Sequence, residues 1–221
     1  MFEHEGFWIP EGERQWLFSD LADYQKADRE QAFRYVRNWS LCLDVGANIG
    51  IFTRAFAERF ERVVAFEPIP DIRACLERNV PANVSIEPVA VSDRTDRLIM
   101  RQVVKSSGGS FIANHPEIAV PESRELTGPR AIEVDVRTID SFGFENVGLI
   151  KMDIQGAEFL ALKGAAETIR TSRPVILIEE KPRPDDALDM ANCKRASEFL
   201  LELGMTPKEK LVGDRVYVFE S

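Results

Sequence analysis

Cysteine and histidine are scarce in this chain, with three Cys and two His among 221 residues. Cys42, Cys75 and Cys193 lie far apart, form no CxxC pair and have no neighbouring His. Neither a zinc site nor a disulfide framework is expected, and the three read as reduced, buried thiols. Long apolar runs are also missing. None approaches the ~18 residues that span a bilayer, and Met1-Phe2-Glu3-His4-Glu5-Gly6 lacks the basic and apolar stretches of an export signal. A soluble, cytoplasmic protein with no membrane partner is the expectation. Positive charge is in deficit, 28 Lys plus Arg against 37 Asp plus Glu, for a net charge of −9. Affinity built on neutralising phosphates needs clustered cations in excess, so nucleic acid is disfavoured as a partner. With 44% hydrophobic residues, 13 Gly and 12 Pro, and no repeat or low-complexity tract, disorder, collagen and coiled coil are set aside. One globular domain with a short appendage fits the length.

What is present is an alternation of short apolar runs and amphipathic segments. Residues 1–28 mix Phe7, Trp8, Trp16 and Phe18 with acids and show no sustained period, so they read as a lead-in. Asp28-Arg29-Glu30-Gln31 has the form of a capping box, predicting a helix whose apolar stripe is Ala32, Phe33 and Val36. Strands are predicted at Leu41 to Val45, Val63 to Phe66 and Ile86 to Val91, with helices carrying Phe52, Ala55, Phe56 and Phe60, then Ile72, Cys75 and Leu76. From Asp93 to Asp140 the rhythm breaks. A strand over Leu98 to Val104, a mobile loop at Ser106 to Ser110, an irregular stretch from Asn114 to Pro129 and a one-face-wet strand with Ile132, Val134 and Val136 are expected there. It resumes with a strand at Leu149 to Asp153, one helix using Phe159, Leu162, Ala166 and Ile169, a strand at Pro174 to Glu179, and a helix with Ala196, Phe199, Leu200 and Leu203. A closing hairpin is predicted from Thr206 to Val212 and Val216 to Phe219. Strands apolar on both faces that alternate with helices specify an α/β fold with a parallel sheet covered on both sides.

The chemistry concentrates at the strand ends. Leu43-Asp44-Val45-Gly46-Ala47-Asn48-Ile49-Gly50 lies between the first α/β strand and its helix, where open sheets bind ligands and glycine admits close backbone approach. Dinucleotide binders need GxGxxG so that a pyrophosphate sits on the helix N-terminus. Here the second glycine is replaced by Asn48, and Asp44 would repel a pyrophosphate. An acid beside the turn suits a cationic ligand, such as the amino acid end and sulfonium of S-adenosylmethionine. Glu67, about 20 residues past the glycine turn, suits two ribose hydroxyls. That supports a nucleoside without choosing between S-adenosylmethionine and a nicotinamide cofactor, so a nicotinamide-dependent reductase stays open.

Asp44 to Gly50, Phe66-Glu67-Pro68, Ala90-Val91-Ser92-Asp93, Val136-Arg137-Thr138-Ile139-Asp140 and Leu149-Ile150-Lys151-Met152-Asp153-Ile154-Gln155-Gly156-Ala157-Glu158 follow one another in an order that resembles the FkbM-type S-adenosylmethionine-dependent methyltransferases. The resemblance covers Leu41 to Phe219. It implies a class I methyltransferase (Rossmann-like) fold, a seven-stranded, mostly parallel sheet with helices on both faces and an antiparallel last strand. It also implies O-methylation of a hydroxyl on a small molecule or sugar. On this basis residues 1–39 are an N-terminal lead-in and short helix of the same domain. Residues 40–221 are the methyltransferase domain, with 93–140 inserted as a candidate substrate cap.

Carried over by position, Asp44, Gly46, Ala47, Asn48 and Gly50 would hold the methionine part, Glu67 with Pro68 the ribose, Ala90, Val91 and Ser92 the adenine edge, and Asp153 would face the transferable methyl. The family usually has Glu where this chain has Gln155, which removes one of two close carboxylates, so no metal is expected. Asp153 is the first candidate for orienting or deprotonating a hydroxyl acceptor, and His115, in the insertion, is the second. Lys151 and Glu179 follow. The Asn/Asp-Pro-Pro-aromatic pattern of nucleic-acid amino methylation is missing, as is a Cys following Pro for base-carbon methylation. Glu179 and Glu180 are adjacent on a strand and point to opposite faces, against an arginine-binding acid pair. A catalytically inactive S-adenosylmethionine-binding interaction module is the other reading that Gln155 leaves open.

Overall fold

The computed structural model describes residues 1–18, 20–103, 106–112, 117–118, 130–181, 186–210 and 213–220. The chain opens with a hairpin of β1 (Phe2–His4) and β2 (Phe7–Ile9), paired His4 to Phe7 around Glu5-Gly6. Both turn residues have positive φ, 49° and 77°, the backbone of a type I′ turn. The sequence reading missed this hairpin. Its strands are too short to show alternation, and its turn has Glu where Asn or Asp usually signals the geometry. The helix α1 (Lys26–Phe33) starts earlier than the capping-box reading placed it. Asp28 is not its N-cap but lies in its first turn, fully buried.

The α/β part runs through β3 (Leu41–Val45), α2 (Ile51–Ala57), β4 (Arg62–Phe66), α3 (Pro70–Asn79) and β5 (Val84–Glu87). The strand expected from Ile86 to Val91 is broken. β5 stops at Glu87, because Pro88 has no N–H to continue the ladder, and β6 (Ala90–Val91) joins a different sheet. The insertion supplies β7 (Asp96–Gln102), β8 (Phe111–Ile112) and β9 (Arg130–Arg137). Then come β10 (Val147–Met152), α4 (Glu158–Lys163), α5 (Ala166–Ser172), β11 (Val175–Glu179), α6 (Ala187–Glu202), β12 (Met205–Pro207) and β13 (Asp214–Phe219). One helix was expected where α4 and α5 stand. The break falls at Gly164, where a Cβ would lie 2.0 Å from the Ser92 carbonyl oxygen. The second piece is restarted by Asp140, whose carboxylate accepts from the Glu167 and Thr168 amides at 3.0 and 2.9 Å.

Seven strands form the main sheet in the order β12-β13-β11-β10-β3-β4-β5, and β13 is the one strand that runs opposite to the other six. Period-2 alternation divides each strand between two cores. Leu41, Leu43 and Val45 face Ala161, Leu162, Ile169 and Leu200 of α4, α5 and α6, whereas Cys42 and Val63 face Ala32, Phe52 and Phe56 of α1 and α2. Both faces are therefore covered by helices, as the α/β reading required. The second sheet has the order β6-β9-β7-β8 and packs Leu98, Ile112, Val134 and Val136 onto Ala157 and Leu160. Among the described residues no helix is long and apolar enough to cross a membrane.

Candidate active site

From β3 the chain moves outward through β4 and β5, then returns across β3 to β10 and β11, so strand order reverses between β3 and β10. Ligands of open α/β sheets sit at such a reversal, outside the carboxyl ends of the strands. A cavity of about 200 Å³ lies there. Gly46, Ala47, Asn48, Glu67, Pro68, Ala90, Val91 and Asp153 line it, together with Lys151 and Glu179. Asp44, Gly50 and Ser92 stand outside its lining. Asp44 is fully buried, with Oδ2 accepting from Thr53 Oγ1 at 2.6 Å and Oδ1 without a hydrogen-bond partner among the described residues. The Ser92 amide donates to Arg137 O at 3.1 Å, and its buried hydroxyl has no hydrogen-bond partner among the described residues. His115 lies outside the described residues.

The turn after β3 is shaped by two requirements. Gly46 has φ 81°, and a Cβ on it would stand 2.1 Å from the Asp153 carbonyl oxygen, so only glycine lets the end of β10 close against the turn. The Gly46 and Ala47 amides then donate to Phe66 O at 3.1 and 3.0 Å. Glu67 is fastened from both sides: Oε2 accepts from the Asn48 amide at 3.1 Å and Oε1 from the Ile69 amide at 2.8 Å. An ionised carboxylate has about four acceptor positions, so two stay available toward the cavity. Burial pushes the Glu67 carboxyl up to about 7, against the pull of the two amides.

At the other end of the cavity acids crowd around one cation. Lys151 Nζ, 3% exposed, lies 3.3 Å from Asp153 Oδ2 and 4.6 Å from the centre of the Phe52 ring. Burial alone would lower its pKa, but Asp153, Asp44 and Asp214 more than offset this and hold it raised. Gln155 Nε2 lies 3.3 Å from both Asp153 Oδ1 and Glu179 Oε2. Burial, with Asp153 next, pushes the Glu179 carboxyl up to about 9. The loop between Asp153 and α4 is shaped by Glu158, whose two oxygens accept from the Ile154 and Gly156 amides at 2.8 and 2.9 Å. Among the described residues no group of His, Cys, Asp and Glu is arranged to hold a metal ion.

Several wall residues escaped the sequence reading. Gln15, Trp16, Tyr24 and Gln25 come from the lead-in, and Met100, Ser107, Gly108, Ser110 and Ile112 from the insertion. The stretch read as a mobile loop is a 3-10 turn, Ser107–Gly109, held at one residue from three directions. The Ser107 amide donates to Glu13 Oε2 at 2.8 Å, Trp16 Nε1 donates to Ser107 Oγ at 2.9 Å, and that hydroxyl donates to Asn48 Oδ1 at 3.1 Å. Asn79 joins the hairpin to the glycine turn. Its Oδ1 accepts from the Trp8 amide at 2.7 Å, and its Nδ2 donates to Trp8 O and Ile49 O at 2.8 and 2.7 Å. The only sequence signal for these contacts was the density of large aromatics in an otherwise acidic lead-in.

The sheet order, the single reversed strand and a strand-end cavity with a glycine turn and an acid after β4 define a class I methyltransferase. The profile of the methyltransferase FkbM domain matches residues 44–204, and the chain belongs to that family. It is 30% identical over 144 residues to the 2-O-methyltransferase NoeI of Sinorhizobium fredii, covering 59% of each chain. It is 28% identical over 184 residues to the AMB antimetabolite synthetase AmbE of Pseudomonas aeruginosa, covering 67% of this chain and 9% of that protein. The crystal structure of methyltransferase FkbM from Methylobacillus flagellatus shares the fold, with a TM-score of 0.52 at 19% identity over 91% of this chain and 55% of that one. The chain thus spans about three fifths of NoeI and little more than half of the FkbM structure.

S-adenosylmethionine is the cofactor of this class. The residues present fit it. Glu67 would offer two acceptor positions to ribose hydroxyls, and the apolar lining of Phe66, Ile69, Ile72 and Val89 would suit a base. The turn at Gly46 and Asp153 line the same cavity and would face the cationic end.

Proposed function

We propose that the domain transfers a methyl group from S-adenosylmethionine to a hydroxyl on a small molecule or sugar. The observation that carries this reading is the pair of carboxylates that line one cavity, Glu67 after β4 and Asp153 after β10. Bound there, the cofactor supplies an electrophilic methyl on a sulfonium, and the protein contributes position and proton handling. Holding donor and acceptor in line is worth about 7–11 kcal/mol of barrier. Asp153 orients the acceptor hydroxyl and takes its proton, and Lys151 Nζ, 3.3 Å away, holds its carboxylate in place. Asp44, behind the turn, adds negative potential toward the sulfonium. The name of NoeI, a 2-O-methyltransferase, supports a hydroxyl over an amine or carbon acceptor. The acid excess of nine charges speaks for a small-molecule partner over nucleic acid.

Two measurements test the reading. Calorimetric titration with S-adenosylhomocysteine is expected to show binding, and radiolabelled methyl transfer to a panel of hydroxylated acceptors is expected to show turnover. Binding without transfer to any acceptor would favour the inactive interaction module. That second reading rests on Gln155, which leaves one fewer carboxylate beside Asp153.

A further inference from the structure

We propose that Tyr24, in the lead-in ahead of the family match, is a specificity-determining residue that contacts the methyl acceptor and, with the acids facing it, restricts that acceptor to uncharged hydroxylated molecules. The inference deepens the methyltransferase reading above and rests on it.

The cavity has two ends. Glu67, Pro68 and Val89 to Val91 lie on the β4 and β5 side, whereas Tyr24, Gln25, Phe52, Lys151 and Glu179 lie on the β10 and β11 side, with Asp153 between. Once the nucleoside occupies the first end, the space left for an acceptor is the second. Tyr24 is fixed there by its surroundings. Its ring meets Trp16 edge-on at 5.2 Å, and its carbonyl is held by the Arg29 guanidinium, which also donates to Ala22 O at 3.0 Å. Its hydroxyl, by contrast, has no hydrogen-bond partner among the described residues. A phenol that is half-buried, rigidly placed and unpartnered beside a cavity is a ready donor to a ligand oxygen. Burial, with the Asp153 charge next, raises the phenol's pKa, so it keeps the proton it would donate.

The charge facing this end sets the chemical class. Asp153 faces it, burial makes the neighbouring Glu179, Glu158, Asp214 and Asp44 carboxyls resist ionisation, and the buried cation, Lys151, is already engaged by Asp153 and by the Phe52 ring. An acceptor carrying a carboxylate or phosphate would meet the Asp153 carboxylate, with Lys151, the one Lys or Arg among the described lining residues, already engaged, which costs binding. A neutral polyol meets a phenol donor, the Gln155 amide and carboxylate acceptors.

The test uses the full chain, labelled S-adenosylmethionine, and matched acceptors: methyl glucoside, methyl mannoside and methyl xyloside against the acidic methyl glucuronide and glucose 6-phosphate. Neutral glycosides are expected to be methylated in preference to the acidic ones. Tyr24→Phe is expected to raise KM for the neutral acceptor about three- to tenfold, the loss of one hydrogen bond, with kcat and S-adenosylhomocysteine affinity within about twofold. Tyr35→Phe, on an exposed ring away from the cavity, serves as a control that changes neither. An unchanged KM in Tyr24→Phe, preference for the acidic acceptors, or no transfer to any glycoside by a protein that binds S-adenosylhomocysteine would overturn the proposal. Absence of S-adenosylhomocysteine binding would overturn the methyltransferase reading as well, so the two failures are distinguishable.

Discussion

Gln155 Nε2 lies 3.3 Å from Glu179 Oε2, so an amide donor, and not a third acid, joins the ends of β10 and β11. Replacing it with the carboxylate usual in the family sets a new charge beside Asp153 and Glu179. In Gln155→Glu the introduced acid has a higher pKa folded than unfolded, because its neighbours oppose ionisation. The folded state then retains a proton that the unfolded chain releases, and stability falls as pH rises above about 4.3. Chemical denaturation at pH 5 and pH 8 checks this. The loss relative to the natural chain should be about 1 kcal/mol greater at the higher pH. An equal loss at both would mean that the amide does not separate the two acids.

Glu67 gives the cofactor end its own pH dependence. Burial pushes its carboxyl up to about 7, and in the proposed reading ribose hydroxyls would donate to the ionised form. Binding therefore requires loss of the proton. Affinity for S-adenosylhomocysteine is expected to climb as pH rises from about 5.5 and to level off above about 7, with proton release on binding below that point. Titration calorimetry in buffers of different ionisation enthalpy reads both. Glu67→Gln should weaken binding at least tenfold at pH 8 and flatten the profile. A parallel profile in the variant would assign the dependence to another group.

The turn at Ser107 bears on cofactor exchange. Glu13, Trp16 and Asn48 all bond this residue, which ties the lead-in and insertion over the glycine turn. Ser107→Ala removes the two hydroxyl contacts and leaves the backbone bond to Glu13. Dissociation of S-adenosylhomocysteine, followed by stopped-flow fluorescence, is expected to speed up by about three- to thirtyfold, while thermal stability drops by only a few degrees. Unchanged dissociation with the same loss of stability would make the contact purely structural.

The legible and illegible parts of this molecule differ in the range of the forces that fix them. The α/β rhythm, the turn from Asp44 to Gly50, Glu67 and Asp153 were readable because each is set by local pattern: period 2, period 3.6, and an acid or glycine at a strand end. The hairpin was hidden because three-residue strands carry almost no periodicity, and Glu5 does not announce a positive φ. Asp28 looked like a cap in sequence and proved to be a buried position in the first turn of α1. The break before α5 depended on Asp140, 27 residues upstream of the Glu167 amide it accepts from. For the same reason Tyr24, Ser107 and Gln25 went unnoticed at the cavity: each reaches it through tertiary packing that no single segment records.

Asp153 carries the central claim, and the direct measurement is the split between binding and transfer in Asp153→Asn. The account predicts that methyl transfer at neutral pH falls by about 10²–10⁴-fold, the range of a lost general base, while S-adenosylhomocysteine affinity changes by less than about tenfold. Unimpaired transfer by a variant that has lost cofactor affinity would contradict it, because Asp153 would then serve the cofactor alone.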